Sequence, residues 1–433
     1  PIAASILLSM PLIVQAADLS MVNGSVTSAN GVPVININEA NANGISHNIY
    51  DKLNVGKEGL IFNNSQTAVN TTLAGQIAGN SNLASGTAKV ILNEVTSKNK
   101  STLNGMMEVA GDKAHLIIAN PNGITCSGCG FINTEKTTIT TGKPDIQNGE
   151  LKGYTVNGGV ITTDGLTSDS PTAILARSVT VNGDINVGDK ELTVIAGNNY
   201  VDVNNQVTGT VTASGSRNTY GVDVAKLGGM YANKINLVST ESGVGVRNLG
   251  VLAAGTGGIQ IDTNGALVNS NAQIKSTGVI NIKTNGALSN ITEKVLSDKS
   301  IYIDTIKNQI DNSRAGNIMS CADVYVSSGA LNNTNGKLAA TGVLGIDTNN
   351  ATLTNSGKGK TVGIEAGVVS LKTGALNNSN GQISGYYVGT QSTSVNNNNG
   401  TLNAYGDVDM ASTGAVNNTS GLIRSANGHV KID

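Results

Sequence analysis

A five-residue unit recurs through the second half of this chain and restricts it to very few architectures. Gly265-Ala266-Leu267-Val268-Asn269 reappears as Gly286-Ala287-Leu288-Ser289-Asn290, then as Gly329-Ala330-Leu331-Asn332-Asn333. Two later copies are Gly374-Ala375-Leu376-Asn377-Asn378 and Gly414-Ala415-Val416-Asn417-Asn418. Weaker copies centre on Ile310 with Asn312, Leu353 with Asn355, and Val395 with Asn397. The aliphatic position thus advances in steps of 21, 22, 21, 22, 23, 19 and 21 residues, always with an Asn two places on. A period near twenty, punctuated by Gly and Asn, matches one coil of a β-solenoid.

Between these units the chain alternates apolar and polar residues in short runs such as Ser300-Ile301-Tyr302-Ile303-Asp304. Period two sends one set of side chains inward and the other to solvent. Gly, Asn, Ser and Asp bound the runs and supply the turn conformations that join them. Stacked in register, Asn269, Asn290, Asn312, Asn333, Asn355, Asn378, Asn397 and Asn418 would form a ladder of amides. The aliphatic residues would stack inside. Composition fits a slim core: aromatics are 3%, Trp is absent, and Gly numbers 54 of 433. The expected fold class is all-β, a parallel β-helix. About 400 residues coiled at this period would make roughly twenty coils and a rod on the order of 95 Å.

The first sixteen residues are short, apolar and end in Val14-Gln15-Ala16, which fits a signal-peptidase site. Residues 1–16 are therefore read as the remnant of a signal peptide, and the chain as exported. No later segment is long and apolar enough to span a membrane as a helix. A formal charge of −2 and few aromatic residues argue against a nucleic-acid partner. The final His429-Val430-Lys431-Ile432-Asp433 reads as a strand, and the expectation is of a longer natural protein, since solenoids need capped ends.

The first half is also strand-rich but less regular. Its most distinctive stretch runs from Ala119 through Asn120-Pro121-Asn122-Gly123-Ile124 to Cys126, Cys129 and Thr134. Pro fixes φ and Asn-Gly accepts left-handed geometry, so this is turn chemistry. Together with Val34-Ile35-Asn36-Ile37, Gly44-Ile45-Ser46-His47-Asn48, Gly59-Leu60-Ile61-Phe62-Asn63-Asn64, Val90-Ile91-Leu92-Asn93-Glu94-Val95, Thr140-Thr141-Gly142-Lys143-Pro144 and Leu227-Gly228-Gly229-Met230-Tyr231-Ala232, it resembles the N-terminal secretion (TPS) domain of two-partner secretion exoproteins (TpsA). That group includes filamentous haemagglutinin, contact-dependent inhibition proteins of the CdiA type and ShlA/HpmA-type haemolysins. The later coils resemble haemagglutinin-type repeats.

The resemblance implies a right-handed β-helix with an N-terminal cap and extra-helical strands, secreted through the periplasm and outer membrane of a Gram-negative bacterium. It implies as partner an outer-membrane TpsB/CdiB-type transporter that recognises the domain through its POTRA domains. Domain bounds are expected at 17–255 for the secretion domain and 256–433 for the repeats. The family's Asn-Pro-Asn-Gly-Ile type motif falls on Asn120, Pro121, Asn122, Gly123 and Ile124. Its Asn-Pro-Asn-Leu type motif falls on Asn80-Ser81-Asn82-Leu83, where Ser81 stands in place of Pro. Two roles are open for these residues: turns that nucleate the first coils, or direct contact with the transporter.

Cys126 and Cys129 form a C-x-x-C without the second pair a zinc site needs. In an exported chain the expectation is a local disulfide, with Cys321 a buried small hydrophobe. His47, His115 and His429 are far apart and read as structural or surface residues. No paired carboxylates, nucleophile elbow or phosphate loop is recognisable, so neither catalysis nor a cofactor or metal is expected. The functional expectation is the N-terminal part of a large exoprotein that forms a surface stalk, for adhesion or contact-dependent growth inhibition. Its receptor on a host or neighbouring bacterium would be met by regions outside this stretch. The alternatives are a secreted haemolysin or cytolysin of the same pathway and, more remotely, a β-helix polysaccharide lyase.

Overall fold

A computed structural model describes residues 18–433; the signal-peptide reading of residues 1–16 lies outside them. Every regular element among the described residues is a strand. One coil illustrates the rest. Leu267–Asn269, Gln273–Ser276 and Ile280–Thr284 run along three sides, and the chain then returns to place Leu288 on Leu267. Leu267, Ile274, Ile280 and Ile282 point inward and are buried. The next coil sets Leu288, Val295 and Ile301 directly above their counterparts. Each such aliphatic side chain contributes about 1.5–3 kcal/mol by leaving water. All these pairings are parallel, so the period-two pattern becomes continuous columns, one set in the core and one in solvent.

One side of the shaft can be followed without a break from Val32–Asn36 to Leu422–Ser425, giving about 16 turns. Fifteen steps of about 4.8 Å make a shaft about 72 Å long. The figure of twenty coils and 95 Å is therefore too large. The reason is that the early coils are longer: stacked residues Ile61 and Glu108 are 47 apart in sequence, and Ile185 and Met230 are 45 apart.

The surplus residues leave the shaft and fold against it. Val69–Thr71 and Gly75–Ile77 form one antiparallel hairpin. Lys143–Gln147, Glu150–Val156, Asn199–Asp202 and Val207–Thr210 form a separate four-stranded antiparallel sheet. The hairpin buries Ala74 and Ile77 against Val34 and Ile61 on the outside of the coils. The four-stranded sheet buries Leu151, Tyr154, Val156 and Val201 against Leu92, Ile117, Leu175 and Ile195. Coil strands beneath it are covered on both faces, which is why Leu116-Ile117-Ile118 is apolar throughout. At the N-terminal end, Leu19–Met21 pairs antiparallel with Ile45–Leu53, and Val26–Ala29 pairs antiparallel with Val32–Asn36. These two strands cover the first edge of the stack, which would otherwise offer open backbone donors and acceptors. The fold class, the cap and the extra-helical strands agree with the expectation.

Candidate nucleation and transporter-recognition turns

Both motif segments build the same turn. The Asn80 side-chain oxygen accepts the Asn82 N–H (3.0 Å) and the Asn80 carbonyl accepts the Leu83 N–H (3.2 Å). In the second motif, the Asn120 side-chain oxygen accepts the Asn122 N–H (3.0 Å) and the Asn120 carbonyl accepts the Gly123 N–H (3.1 Å). Each first Asn is buried and spends its NH2 on neighbouring coils. Asn80 donates to the carbonyls of Ile37 (2.9 Å) and Asn63 (3.0 Å). Asn120 donates to the Asn99 carbonyl (3.0 Å) and to Ser101 Oγ (2.9 Å). The second Asn repeats the move, Asn82 to the Ile37 carbonyl (3.3 Å) and Asn122 to the Ser97 carbonyl (2.8 Å).

Leu83 and Ile124 then plunge into the core. Gly123 takes a φ of 119°, closed to a side chain, while its carbonyl accepts the Ser101 N–H (3.1 Å). Ser81 is exposed and makes the turn without Pro; Pro121 is half-buried. In the folded chain, then, the amides of Asn80 and Asn120 are committed to the coils and face no solvent.

Cys126 and Cys129 are joined by a disulfide with a Cα–Cα distance of 5.3 Å. It spans the corner at Ser127-Gly128, one corner after the Asn120 turn, with both cysteines in the core. Cys321 is exposed rather than buried. Alternation decides this: Ser320 takes the inward position and donates to the Lys299 carbonyl, leaving the Cys321 side chain outward.

The Asn ladder is continuous. Nδ2 of Asn269 donates to Oδ1 of Asn290 (2.8 Å), Asn290 to Asn312 (2.8 Å), Asn312 to Asn333 (2.8 Å) and Asn333 to Asn355 (2.9 Å). Asn355 donates to Asn378 (2.7 Å), Asn378 to Asn397 (2.7 Å) and Asn397 to Asn418 (2.6 Å). All are buried save Asn418, which is exposed on the last coils. The ladder begins one rung earlier than the sequence reading placed it, since Asn248 donates to Asn269 (2.9 Å). Val246-Arg247-Asn248 already carries the aliphatic-x-Asn spacing one step before Leu267. A second column, which no repeated motif marks in the sequence, runs beside it: Thr263, Thr284, Thr305, Ser328, Thr348, Thr373 and Ser392 are buried five to seven residues before successive ladder Asn residues.

Two ionic clamps tie the excursions down. The Glu108 carboxylate accepts the N–H groups of Thr72 (2.7 Å) and Leu73 (2.9 Å) at the tip of the small hairpin. The Arg177 guanidinium pairs with Glu241 (3.0 Å) and donates to the carbonyls of Ser214 (2.6 Å) and Gly215 (2.9 Å). His47 contacts Glu94 (2.8 Å) and exposed His429 contacts Asp407 (3.0 Å). His115 is half-buried, its ring nitrogen against Thr138 Oγ1 (2.8 Å). Burial, helped by the nearby Lys136 charge, pushes its imidazole down to about 3. Among the described residues, no three His, Cys, Asp or Glu converge where a metal could be held.

A family profile described as the TPS secretion domain matches residues 14–269, more than half of the chain. The chain belongs to this family of secretion domains. Curated relatives include "Toxin CdiA" of Yersinia pestis, 48% identical over 256 residues, which cover 58% of this chain and 8% of that protein. Another, "tRNA nuclease CdiA" of Escherichia coli (strain STEC_O31), is 40% identical over 383 residues, 82% of this chain and 11% of that protein. The chain thus spans about a tenth of the length of these relatives. Among solved structures, the filamentous hemagglutinin secretion domain aligns at 26% identity and a TM-score of 0.48, covering 77% of this chain and 98% of that one. Proteins carrying a TPS secretion domain leave Gram-negative cells through the two-partner pathway, across the outer membrane, and the domain implies a TpsB-type outer-membrane transporter as partner.

Proposed function

We propose that the chain is the N-terminal part of a CdiA-type contact-dependent growth-inhibition exoprotein. The observation carrying this reading is the 48% identity to a toxin CdiA over 256 residues, with further CdiA proteins at similar identity. In this reading residues 17–255 address the chain to its transporter and 256–433 begin a surface stalk. The stretch itself is not catalytic; toxicity and the receptor on a neighbouring cell belong to other parts of the exoprotein, and nucleic acid is no partner of these coils.

The turns at 80–83 and 120–124 act as nuclei for the first coils. Their Asn amides are accessible to the POTRA domains of a CdiB-type transporter only before the coils close, so recognition and nucleation are successive uses of one sequence. As the chain emerges, each finished coil presents a strand edge and an unpaired ladder Nδ2 to the next. Stacking then favours onward passage without ATP. The test is secretion of the exoprotein from cells with and without the partner barrel, in wild type and after deletion of 80–83 or 120–124. Export that persists without the barrel overturns the assignment. Co-culture of secreting cells with a sensitive strain separates growth inhibition from adhesion: attachment without growth arrest defeats the CdiA reading.

A further inference from the structure

Along one side of the shaft, two outward columns of side chains run in parallel. Asn281, Tyr302, Tyr325 and Gly345 succeed one another in the first; Lys283, Asp304, Ser327 and Asp347 do so in the second. Between them lies a groove of about 600 Å³ that extends over six coils. The Tyr302 and Tyr325 rings stack with centroids 5.5 Å apart and planes 14° apart, and both remain substantially exposed at 44% and 39%. On the next coil the column holds Gly345. A Cβ there would meet the Tyr325 ring at 3.0 Å, so the missing side chain leaves the far side of that ring open.

The shaft does not need these rings. Gly345 and Ser370 occupy the same column on later coils with the strand pairing intact. Ten tyrosines serve all 433 residues, so two stacked in the open require another reason. Exposed aromatic surface beside a few convergent polar groups is the composition of a ligand site. The backbone groups of these strands are engaged with the coils on either side. An extended peptide therefore finds no edge to join, and a ligand must be held by side chains alone.

We propose that this groove binds a linear neutral glycan, with one hexose seated over Gly345 and its apolar C–H face against the Tyr325 ring. The opposite wall matches such a ligand. It alternates Lys283, Asp304, Ser327 and Asp347, with Lys372 bonded to Asp347 (3.0 Å). Hydroxyl groups both donate and accept, so they satisfy a wall of mixed sign that a uniformly charged polymer would meet half in repulsion.

The test is calorimetric titration of the full 433-residue chain with cellohexaose, chitohexaose and a mannuronate hexamer. A neutral hexasaccharide binds; Tyr325→Ala, and Gly345→Val which fills the gap, each weaken it about tenfold or more. Tyr386→Ala, in the other exposed aromatic pair, leaves binding unchanged. Matching thermal midpoints establish that the variants are folded. The proposal is overturned if neither neutral hexasaccharide binds, if binding survives Tyr325→Ala and Gly345→Val, or if the chain self-associates through this face and Tyr325→Ala abolishes that association.

Discussion

Replacing Asn333 by alanine tests whether the amide ladder holds the shaft or merely lines it. Asn333 accepts from Asn312 (2.8 Å) and donates to Asn355 (2.9 Å), with further contacts to the Gly336 (3.2 Å) and Gly363 (3.4 Å) carbonyls. Alanine removes two amide–amide bonds, each worth about 1 kcal/mol net, and strands the Asn355 oxygen in the core at a further cost of about 1–3 kcal/mol. Asn312 keeps the Gly316 and Lys337 carbonyls, both at 3.1 Å, so its loss is small. The expected destabilisation is about 3–5 kcal/mol. Asn418→Ala removes one bond at an exposed rung, where water substitutes, and should cost below about 1 kcal/mol. Asn333→Asp adds a sharper contrast. An ionised Asp can accept from Asn312 but cannot donate to Asn355, and it buries a charge. Its folded-state pKa rises above the unfolded value, so stability returns as pH falls and is lost as pH rises. Hydrogen exchange of the amides in the coils on either side reads these differences locally. Equal losses in Asn333→Ala and Asn418→Ala, or an Asn333→Asp variant indifferent to pH, would refute the reasoning.

The depressed His115 imidazole predicts an acid-sensitive fold. Its folded value of about 3 lies below the unfolded 6.5, so only the unfolded chain takes the proton between them, and stability falls by about 1.4 kcal/mol per unit as pH drops through that window. His115→Gln should flatten this slope in pH-dependent urea titrations; an unchanged slope would remove His115 as its source. Exposed Cys321 should react with a maleimide in the native protein at one equivalent, while Cys126 and Cys129 stay unreactive until reduced; mass spectrometry counts the adducts, and protection of Cys321 would contradict its outward placement. Gly336→Ala should destabilise by more than about 2 kcal/mol, because the added Cβ collides with the Asn312 carbonyl of the coil before. A thermal midpoint equal to wild type would show that this corner can yield.

The regular coils were legible because one short period sets everything in them. The aliphatic-x-Asn spacing assigns an inward residue and a ladder rung at once, and both recur wherever the spacing does. The period alone overstates the coil number because the irregular half spends part of its residues on excursions outside the shaft. Leu116-Ile117-Ile118 and Ala173-Ile174-Leu175 hold the missing signal: strands apolar on both faces require a second layer outside the shaft. Cys321 shows how composition misleads. Cysteine is usually buried, yet period two and Ser320 put it outside. In the candidate turns, the Asn-x-Asn pattern announces the local geometry. It does not announce that Asn80 and Asn120 reach other coils, since those partners lie 17 to 43 residues away for Asn80.

Each ladder amide gives its N–H to the coil that follows and takes one from the coil before, so every joint between regular coils is chemically the same joint. Removing or duplicating a whole period, such as the 21 residues separating Asn312 from Asn333, would bring together two surfaces already suited to each other. A partial period would face a donor with nothing to accept it. Such a shaft can change its reach over evolutionary time in whole-coil increments, by duplication and loss of gene segments, without new contacts having to be invented at each junction.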